Sequence, residues 1–245
     1  MRVVFFGATK GMGRALARLF AARGDRLFLL GHVAADLQRS ARDLEIHGGP
    51  APVGTALCDL LRPETFGPAL DQAARQLPDF DTVVVTAGLF GTQEQLEADP
   101  ALCARVLSAD FTHTVLFCEE ARRRLLARGG GTLCAFSSVA GERGRKPVVL
   151  YGSAKAGLTH YLEGLDHKFR KQGLKTICVK PGFVKTSMTV GLKPPPFAGE
   201  PEDVARRVLR AIDRGWPEVY VPAAWRWVMC VIRNLPRAVM RRIRF

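Results

Sequence analysis

A tyrosine and a lysine stand four residues apart in the stretch VLYGSAKAGL, residues 149–158, with only small residues between them. Positions i and i+4 are neighbours on a helix surface, so Tyr151 and Lys155 are expected to project toward one side. A free phenol has a pKa of about 10, and a nearby ammonium favours the phenolate and lowers that pKa. The pair therefore predicts proton transfer to or from a substrate oxygen.

A glycine-rich turn near the start of the chain could bind a phosphate. The sequence GATKGMGR follows an apolar run at residues 3–6 and precedes a helical pattern at residues 12–23. Glycine permits a tight turn and close approach of a pyrophosphate, and the free N–H groups of the following helix would face the anion. The predicted dinucleotide contacts in this turn are Gly7, Thr9, Lys10, Gly11, Met12 and Gly13.

The second apolar run, residues 26–30, bears on which dinucleotide is bound. It ends at Gly31, where an NAD site usually carries an acid that holds the ribose hydroxyls. Without that acid the 2′-phosphate of NADP is not repelled, and Lys10 and His32 could pair with it. The sequence favours NADP(H), with NAD(H) as the alternative.

These groups need a framework that brings distant segments together. Apolar runs predict strands at residues 3–6, 26–30, 82–87, 132–138, 175–180 and 218–221, with a weaker one at 51–59. Helical patterns occupy residues 12–23, 64–76, 100–127, 150–171 and 201–213. This alternation predicts an α/β fold, a doubly wound parallel sheet of Rossmann type in three α/β/α layers. We expect one catalytic domain at 1–221 and a C-terminal extension at 222–245.

The chain resembles the short-chain dehydrogenases/reductases along nearly its whole length. The resemblance rests on the order and spacing of GATKGMG (7–13), CDL (58–60), TAG (86–88), SSVAG (137–141), YGSAK (151–155) and PGFVKT (181–186). It implies an oxidoreductase acting on CH–OH and C=O groups with NAD(P). It also implies a homodimer or homotetramer paired through the helices at 100–127 and 150–171.

The resemblance implies a role for each matching residue. Ser138 would bind the substrate oxygen and Tyr151 would protonate it. Tyr151 and Lys155 would also contact the cofactor, with Lys155 binding the nicotinamide ribose. Asp110 stands where the family has a catalytic asparagine, and its carboxylate could raise the pKa of the lysine. Thr86 replaces an asparagine that steadies the sheet. The other implied cofactor contacts are Asp59 and Leu60, Ala87 and Gly88 on the adenosine side, and Pro181, Gly182, Val184 and Thr186 at the nicotinamide end.

The charge is unevenly distributed. The formal net charge is +13, and residues 222–245 carry six arginines and no acid. Those arginines, at 226, 233, 237, 241, 242 and 244, border an apolar set that includes Trp225, Trp227 and Met229. Aromatic rings beside arginines suit a membrane–water boundary. We expect an amphipathic extension that contacts the inner face of the membrane from the cytoplasm, although a helix packed on the domain is the other interpretation.

The extension and the basic loop ERGRK (142–146) also resemble those of lipid-directed members of this family, which implies a keto group on a lipid-linked or long-chain substrate, most specifically a 2-keto-pentose on a polyprenyl phosphate. Arg143, Arg145 and Lys146 could meet a phosphate. The alternatives are a soluble reductase of small or 3-ketoacyl ketones and an inactive nucleotide-binding regulator. The five histidines lack ligand spacing, so no metal site is expected. No nucleic-acid module is recognised, and no apolar run reaches the roughly 18 residues that span a bilayer.

Overall fold

Seven parallel strands form a single sheet in the order β3-β2-β1-β4-β5-β6-β7 in the computed structural model, which describes residues 1–186, 189–191, 194–195 and 197–243. The strands are β1 (Arg2–Phe6), β2 (Arg26–Gly31), β3 (Gly54–Leu57), β4 (Thr82–Val85), β5 (Gly131–Phe136), β6 (Leu174–Pro181) and β7 (Glu218–Val221). The order reverses between β1 and β4, where open sheets of this kind form a ligand crevice.

Helices cover both faces of the sheet. They are α1 (Gly11–Ala22), α2 (Ala34–Ile46), α3 (Phe66–Gln76), α4 (Gln93–Ala98), α5 (Pro100–Leu107), α6 (Thr114–Ala127), α7 (Val149–Phe169), α8 (Pro201–Arg214), α9 (Trp225–Asn234) and α10 (Arg237–Arg242). The core on one face takes residues from α3, α6 and α7, and the core on the other takes residues from α1, α2 and α8. The predicted three-layer, doubly wound fold is confirmed.

The strands are apolar without alternation because both of their faces are buried. In β1, Val4 and Phe6 pack in one core, whereas Val3 and Phe5 pack in the other. Burial of each large side chain stabilises the fold by roughly 1.5–3 kcal/mol relative to exposure. The predicted strands at 82–87 and 132–138 end early, at Val85 and Phe136, so the residues that follow leave the sheet at its carboxyl edge.

The predicted helix at 100–127 is interrupted by a π-helical segment, Ser108–His113. Such segments insert an extra residue into a turn and often occur at functional sites. The Thr114 hydroxyl donates to the Ala109 carbonyl oxygen at 2.7 Å within this turn. Asp110 lies in the segment and is fully buried, so the widened turn presents this residue to the interior.

The same helical run is the one described segment that meets a length and composition test for a membrane span, although it is not a continuous apolar run. Pro100–Ala127 is long and apolar enough by length and composition alone. A third of its most apolar window is buried within the protein, and Phe117, Ala121 and Leu125 pack in the core. A core helix passes the same test of length and composition, so this feature is weak support for a membrane span.

The C-terminal extension is folded onto the domain along one side. Trp225, Met229 and Ile232 of α9 are buried against Val139 and Tyr220. The opposite side of α9 is open, because Trp227 is 73% exposed and Val231 is 63% exposed. The buried side of α9 therefore fits a helix packed on the domain, and its exposed side fits a helix that contacts a membrane. Arg244, one of its six arginines, lies outside the described residues.

Candidate active site

A cleft of about 460 Å³ lies at the crevice between β1 and β4, and it collects most of the predicted cofactor contacts. The predicted residues that line it are Gly7, Thr9, Lys10, Gly11, Met12, Gly13, His32, Asp59, Leu60, Ala87, Gly88 and Thr186. They come from five separate segments, which the parallel strands bring to one edge of the sheet.

The glycine turn leaves no room for side chains. Gly7 has a φ of +99°, and a Cβ there would lie 2.5 Å from the Ala87 nitrogen. A Cβ on Gly13 would lie 2.2 Å from the Gly7 carbonyl oxygen. Helix α1 begins at Gly11 with no side-chain cap and no acid in its first turn. Its first N–H groups and the positive end of its dipole are therefore available to a pyrophosphate, so these residues fit a dinucleotide.

Thr86 closes this turn. Its hydroxyl donates to the Gly7 carbonyl oxygen at 2.9 Å, which ties the end of β4 to the glycine turn. The threonine thus forms a cross-strand link at the position where the family resemblance implies an asparagine.

The end of the cleft beside β2 contains an acid that sequence reasoning missed. Asp36, in the first turn of α2, lines the cleft. Its carboxylate forms ion pairs with Lys10, at 3.6 Å, and with Arg39. No acid stands at the end of β2, where Gly31 is found, but α2 places the carboxylate of Asp36 in the cleft five residues later. Lys10 and Arg39 offset the negative charge of Asp36, so this end of the cleft carries both positive and negative charge.

Two further features of the cleft bear on the nucleotide. Asp59 accepts the Leu61 backbone N–H at 2.9 Å, which orients its carboxylate within the loop after β3. Arg105 of α5 also lines the cleft, although no motif marked it. It is brought there by α5, which packs against α4 and α7.

Ser138, Tyr151 and Lys155 meet beyond the Gly88 end of this cleft. A Cβ on Gly88 would lie 3.7 Å from Lys155 Nζ. That nitrogen lies 5.6 Å from the centroid of the Tyr151 ring, and the Ser138 hydroxyl is close enough to the phenol to lower its pKa. Phe90 packs edge-on against the same ring, with centroids 5.2 Å apart. The i, i+4 prediction thus places the phenol and the ammonium in one corner.

Asp110 joins this catalytic corner, defined as Ser138, Tyr151, Lys155 and Asp110. Its Oδ2 lies 3.4 Å from Lys155 Nζ, and its Oδ1 accepts the Leu89 backbone N–H at 2.7 Å. The two side chains are only 1% and 6% exposed. Lys155 Nζ also donates to the Phe136 carbonyl oxygen at 3.3 Å. The carboxylate therefore faces the lysine directly.

The electrostatics of the corner correct one sequence inference. Burial raises the pKa of Tyr151, and the Asp110 charge raises it further, while Lys155 and the Ser138 hydrogen bond lower it. The net direction is upward, so Lys155 alone does not lower the pKa below its ordinary value. Burial lowers the pKa of Lys155, but Asp110 and Tyr151 raise it by more. Burial raises the pKa of Asp110, with Lys155 opposing.

The nicotinamide end is the least open part of the site. Ser138 Oγ donates to the Pro181 carbonyl oxygen at 3.4 Å, which joins this end to the catalytic corner. Val184 is buried and bridges to Gly199, while Gly182 lies directly under the indole of Trp225. None of these residues lines the 460 Å³ cleft, in contrast to Thr186. The contact of Trp225 with this end was not predicted.

A buried charge cluster beneath the extension was also missed. Lys180 pairs with Glu142 at 2.6 Å and with Glu218, and Glu142 also accepts from Tyr220 and Arg233. Glu142 was noted only as part of a basic loop. Within the described residues, no group of three or more His, Cys, Asp or Glu side chains is placed to hold a metal ion.

Comparison with known proteins gives a consistent result. Residues 2–195 match the family model described as short chain dehydrogenase. An uncharacterized oxidoreductase of Mycobacterium tuberculosis is 34% identical, over 98% of this chain and 96% of its own. Carbonyl reductase family member 4 of Xenopus tropicalis is 27% identical over 83% and 87%. A short-chain dehydrogenase from Sphingobium yanoikuyae in complex with NADPH superposes with a TM-score of 0.82 at 22% identity, covering 100% of this chain and 97% of the other.

Proposed function

Because the chain belongs to the short-chain dehydrogenase/reductase family, whose members are NAD(P)-dependent oxidoreductases of CH–OH and C=O groups, we propose that it reduces a keto group on a lipid-linked or long-chain substrate. The observation that carries the chemistry is the meeting of Ser138, Tyr151 and Lys155 at the end of a cleft shaped for a dinucleotide. We assign catalysis to these three residues, with Asp110 beside the lysine.

The proposed chemistry divides between cofactor and protein. NADPH, when bound, supplies the hydride that reduces the carbonyl carbon. The Ser138 hydroxyl donates a hydrogen bond to the carbonyl oxygen and stabilises the charge that develops there. Tyr151 gives its proton to that oxygen. Lys155 stabilises the phenolate that remains, because its ammonium lies in the same buried corner.

The raised pKa of Tyr151 suits the reductive direction. A phenol that acts as a proton donor must be protonated before the step, and burial together with Asp110 keeps it so at neutral pH. Oxidation of an alcohol needs the phenolate, which this environment disfavours. The electrostatics therefore supply the protonation state from which reduction starts.

NADP(H) is the proposed cofactor, with NAD(H) as the alternative. Lys10 and Arg39 lie around Asp36 at the ribose end of the cleft and provide positive charge for a 2′-phosphate. The Sphingobium neighbour is an NADPH complex, which agrees with this choice. Asp36 is the feature that keeps NAD(H) open, because an acid in this region can accept from ribose hydroxyls.

The lipid assignment rests on the exposed face of α9. Trp227 and Val231 lie one helical turn apart on that face, and Arg226 is exposed beside them. Exposed aromatic and aliphatic groups beside arginines suit the surface of an anionic membrane. We propose peripheral contact with the cytoplasmic face of the membrane, with 222–245 as the contacting extension and a homodimer or homotetramer as the assembly.

We base the specific substrate on a resemblance of the sequence at 86–91, 136–158 and 221–243 to decaprenylphosphoryl-2-keto-erythro-pentose reductase. A 2-keto-pentose on a polyprenyl phosphate is therefore the first substrate to test. The second candidate is a soluble reductase of small or 3-ketoacyl ketones. It is favoured by the burial of Trp225, Met229 and Ile232, because a helix docked on the domain needs no membrane.

The discriminating experiment is NADPH oxidation with three ketones: the polyprenyl-linked 2-keto-pentose, a 3-ketoacyl thioester and a short soluble ketone. We expect the highest kcat/KM for the lipid-linked substrate in the presence of anionic vesicles. Replacement of Trp227 and Val231 by serine should remove the effect of vesicles and leave turnover of the short ketone unchanged. Turnover of the short ketones alone, indifferent to vesicles and to these replacements, would establish the second candidate.

A further inference from the structure

A second cavity, of about 530 Å³, lies between the loop 140–149 and α10. We call it the tail pocket. Its walls carry five basic residues, Arg143, Arg145, Lys146, Arg237 and Arg241. The described residues that line it include no acid, and none of them also lines the nucleotide cleft. The pocket is thus a separate concentration of positive charge.

The extension is held over this pocket by hydrogen bonds that do not neutralise the positive charge of the pocket residues. Arg143 donates to the Leu235 carbonyl oxygen at 2.9 Å, and Lys146 donates to the Arg241 carbonyl oxygen at 2.6 Å. Both acceptors are neutral backbone groups. Across the described part of the chain, none of Arg143, Lys146, Arg237 or Arg241 forms an ion pair with a carboxylate. Two segments far apart in sequence therefore bring like charges together, and no acid among the described residues lines the pocket.

Like charges gathered in one concave site repel each other and attract an anion. Arginine forks match the paired oxygens of a phosphate, and a lysine adds a point charge to such a site. Val148, Val149 and Met240 complete the wall, so the pocket also offers apolar surface to the rest of a phosphate ester.

The pocket adjoins the back of the catalytic corner. The turn 139–142, which follows Ser138, separates the two. It packs so closely on α7 that a Cβ on Gly141 would lie 2.6 Å from the Ala156 nitrogen. Gly141, Gly152 and Ala156 line the tail pocket on the other side of this contact. An occupant of the pocket would thus rest on the turn that carries Ser138.

We propose that the tail pocket binds a phosphate group, as a site separate from the nucleotide cleft. The phosphate is either that of a lipid headgroup or that of a soluble phosphate compound, since both present the same oxygens. This proposal does not depend on the identity of the keto substrate, because it concerns binding alone.

The test measures binding to the full-length protein saturated with NADPH, so that the nucleotide cleft is already filled. Inorganic pyrophosphate is titrated by calorimetry, and flotation is measured with phosphatidylcholine vesicles with and without phosphatidic acid. The variant Arg237→Ala/Arg241→Ala removes two cations of the pocket. The matched control, Arg75→Ala/Arg210→Ala, removes two exposed arginines that lie outside the extension and do not line the pocket.

We expect the pocket variant to bind at least about tenfold more weakly, and the control to stay within about twofold of the wild type. Binding of pyrophosphate that follows this pattern identifies a soluble phosphate as sufficient. Binding confined to vesicles with phosphatidic acid, with the same pattern, identifies the headgroup. An equal loss in the two variants, which carry equal charge changes, overturns the proposal, as does the absence of binding in both assays.

Thermal unfolding of both variants verifies that the extension remains folded. If NADPH does not bind, the proposed reductase function is refuted. The pyrophosphate and vesicle assays still test the tail pocket in that case, because they compare the two variants and do not need NADPH.

Discussion

The catalytic corner and the C-terminal extension treat positive charge in opposite ways. Lys155 is 6% exposed and faces the buried carboxylate of Asp110, whereas Arg226, Arg237 and Arg241 are exposed and form no ion pair among the described residues. A buried pair acts over a few ångströms by shifting pKa values, because the low dielectric strengthens it. Exposed cations act on anions in solution, and salt screens them. The catalytic corner is therefore suited to proton transfer, and the C-terminal extension is suited to binding anions.

The largest expected effect separates chemistry from cofactor binding in the catalytic corner. Tyr151→Phe removes only the proton donor, so we expect kcat for ketone reduction to fall by about 1000-fold. NADPH affinity, measured by fluorescence titration, should be nearly unchanged. Tyr161→Phe is the control, because Tyr161 lies on the same helix and its hydroxyl donates to Glu119 away from the corner. Equal activity in the two variants would remove Tyr151 from its role as the acid.

The next prediction contrasts the two faces of α9. Trp225→Ala should lower the free energy of unfolding by about 3 kcal/mol, because the buried indole covers Gly182 and leaves a cavity when removed. Trp227→Ala should change it by less than about 0.5 kcal/mol, because that side chain is 73% exposed. Denaturant titration measures both.

Vesicle flotation should rank these two variants the other way, with the loss of binding in Trp227→Ala. Retention of full vesicle binding by Trp227→Ala would contradict the membrane role of the exposed face while leaving the packing of the buried face intact.

A smaller effect probes the buried pair. Asp110→Asn removes a negative charge that raises the pKa of Tyr151, so that pKa should fall. Alcohol oxidation needs the phenolate, and its pH profile should move to lower pH. Reduction should likewise begin to decline at a lower pH. The measurement is kcat/KM against pH in both directions, and a profile that does not move would show that Asp110 is electrostatically silent.

The smallest expected effect concerns cofactor choice. Lys10→Ala removes an exposed cation from the ribose end of the cleft, so NADPH affinity should fall by about two- to fivefold while NADH affinity stays the same. Asp36→Asn should shift the preference toward NADPH by a similar factor. The ratio of Kd values for the two nucleotides is the readout, and a parallel change for both cofactors would argue against selection at the 2′-phosphate.

Much of the nucleotide cleft could be predicted because its residues act through the backbone and through local order. Gly7, Gly11 and Gly13 are needed where strand, turn and helix follow one another within a dozen residues. Tyr151 and Lys155 share one helix, so their spacing alone determines that they meet. The succession of apolar runs and helical patterns likewise predicts a parallel sheet. A strand that is buried on both faces has apolar residues at successive positions and does not alternate apolar with polar residues.

Other features depend on how the tertiary structure brings together segments that are distant in sequence. Asp36 reaches the cleft only through the path of α2, and the indole of Trp225 reaches Gly182 only because α9 packs against β7 and the turn 139–142. The net shift of the Tyr151 pKa reverses the expectation from the lysine alone, because burial and Asp110 outweigh it.

The sequence by itself thus determined the α/β alternation, the glycine turn and the phenol–ammonium pair, all of which depend on short-range periodicity and backbone freedom. Only the tertiary structure decided the burial of Asp110 against Lys155 and the meeting of Arg143 and Lys146 with Arg237 and Arg241. The physical reason is that burial and pocket charge are sums over neighbours contributed by distant parts of the chain, and one-dimensional spacing does not contain them.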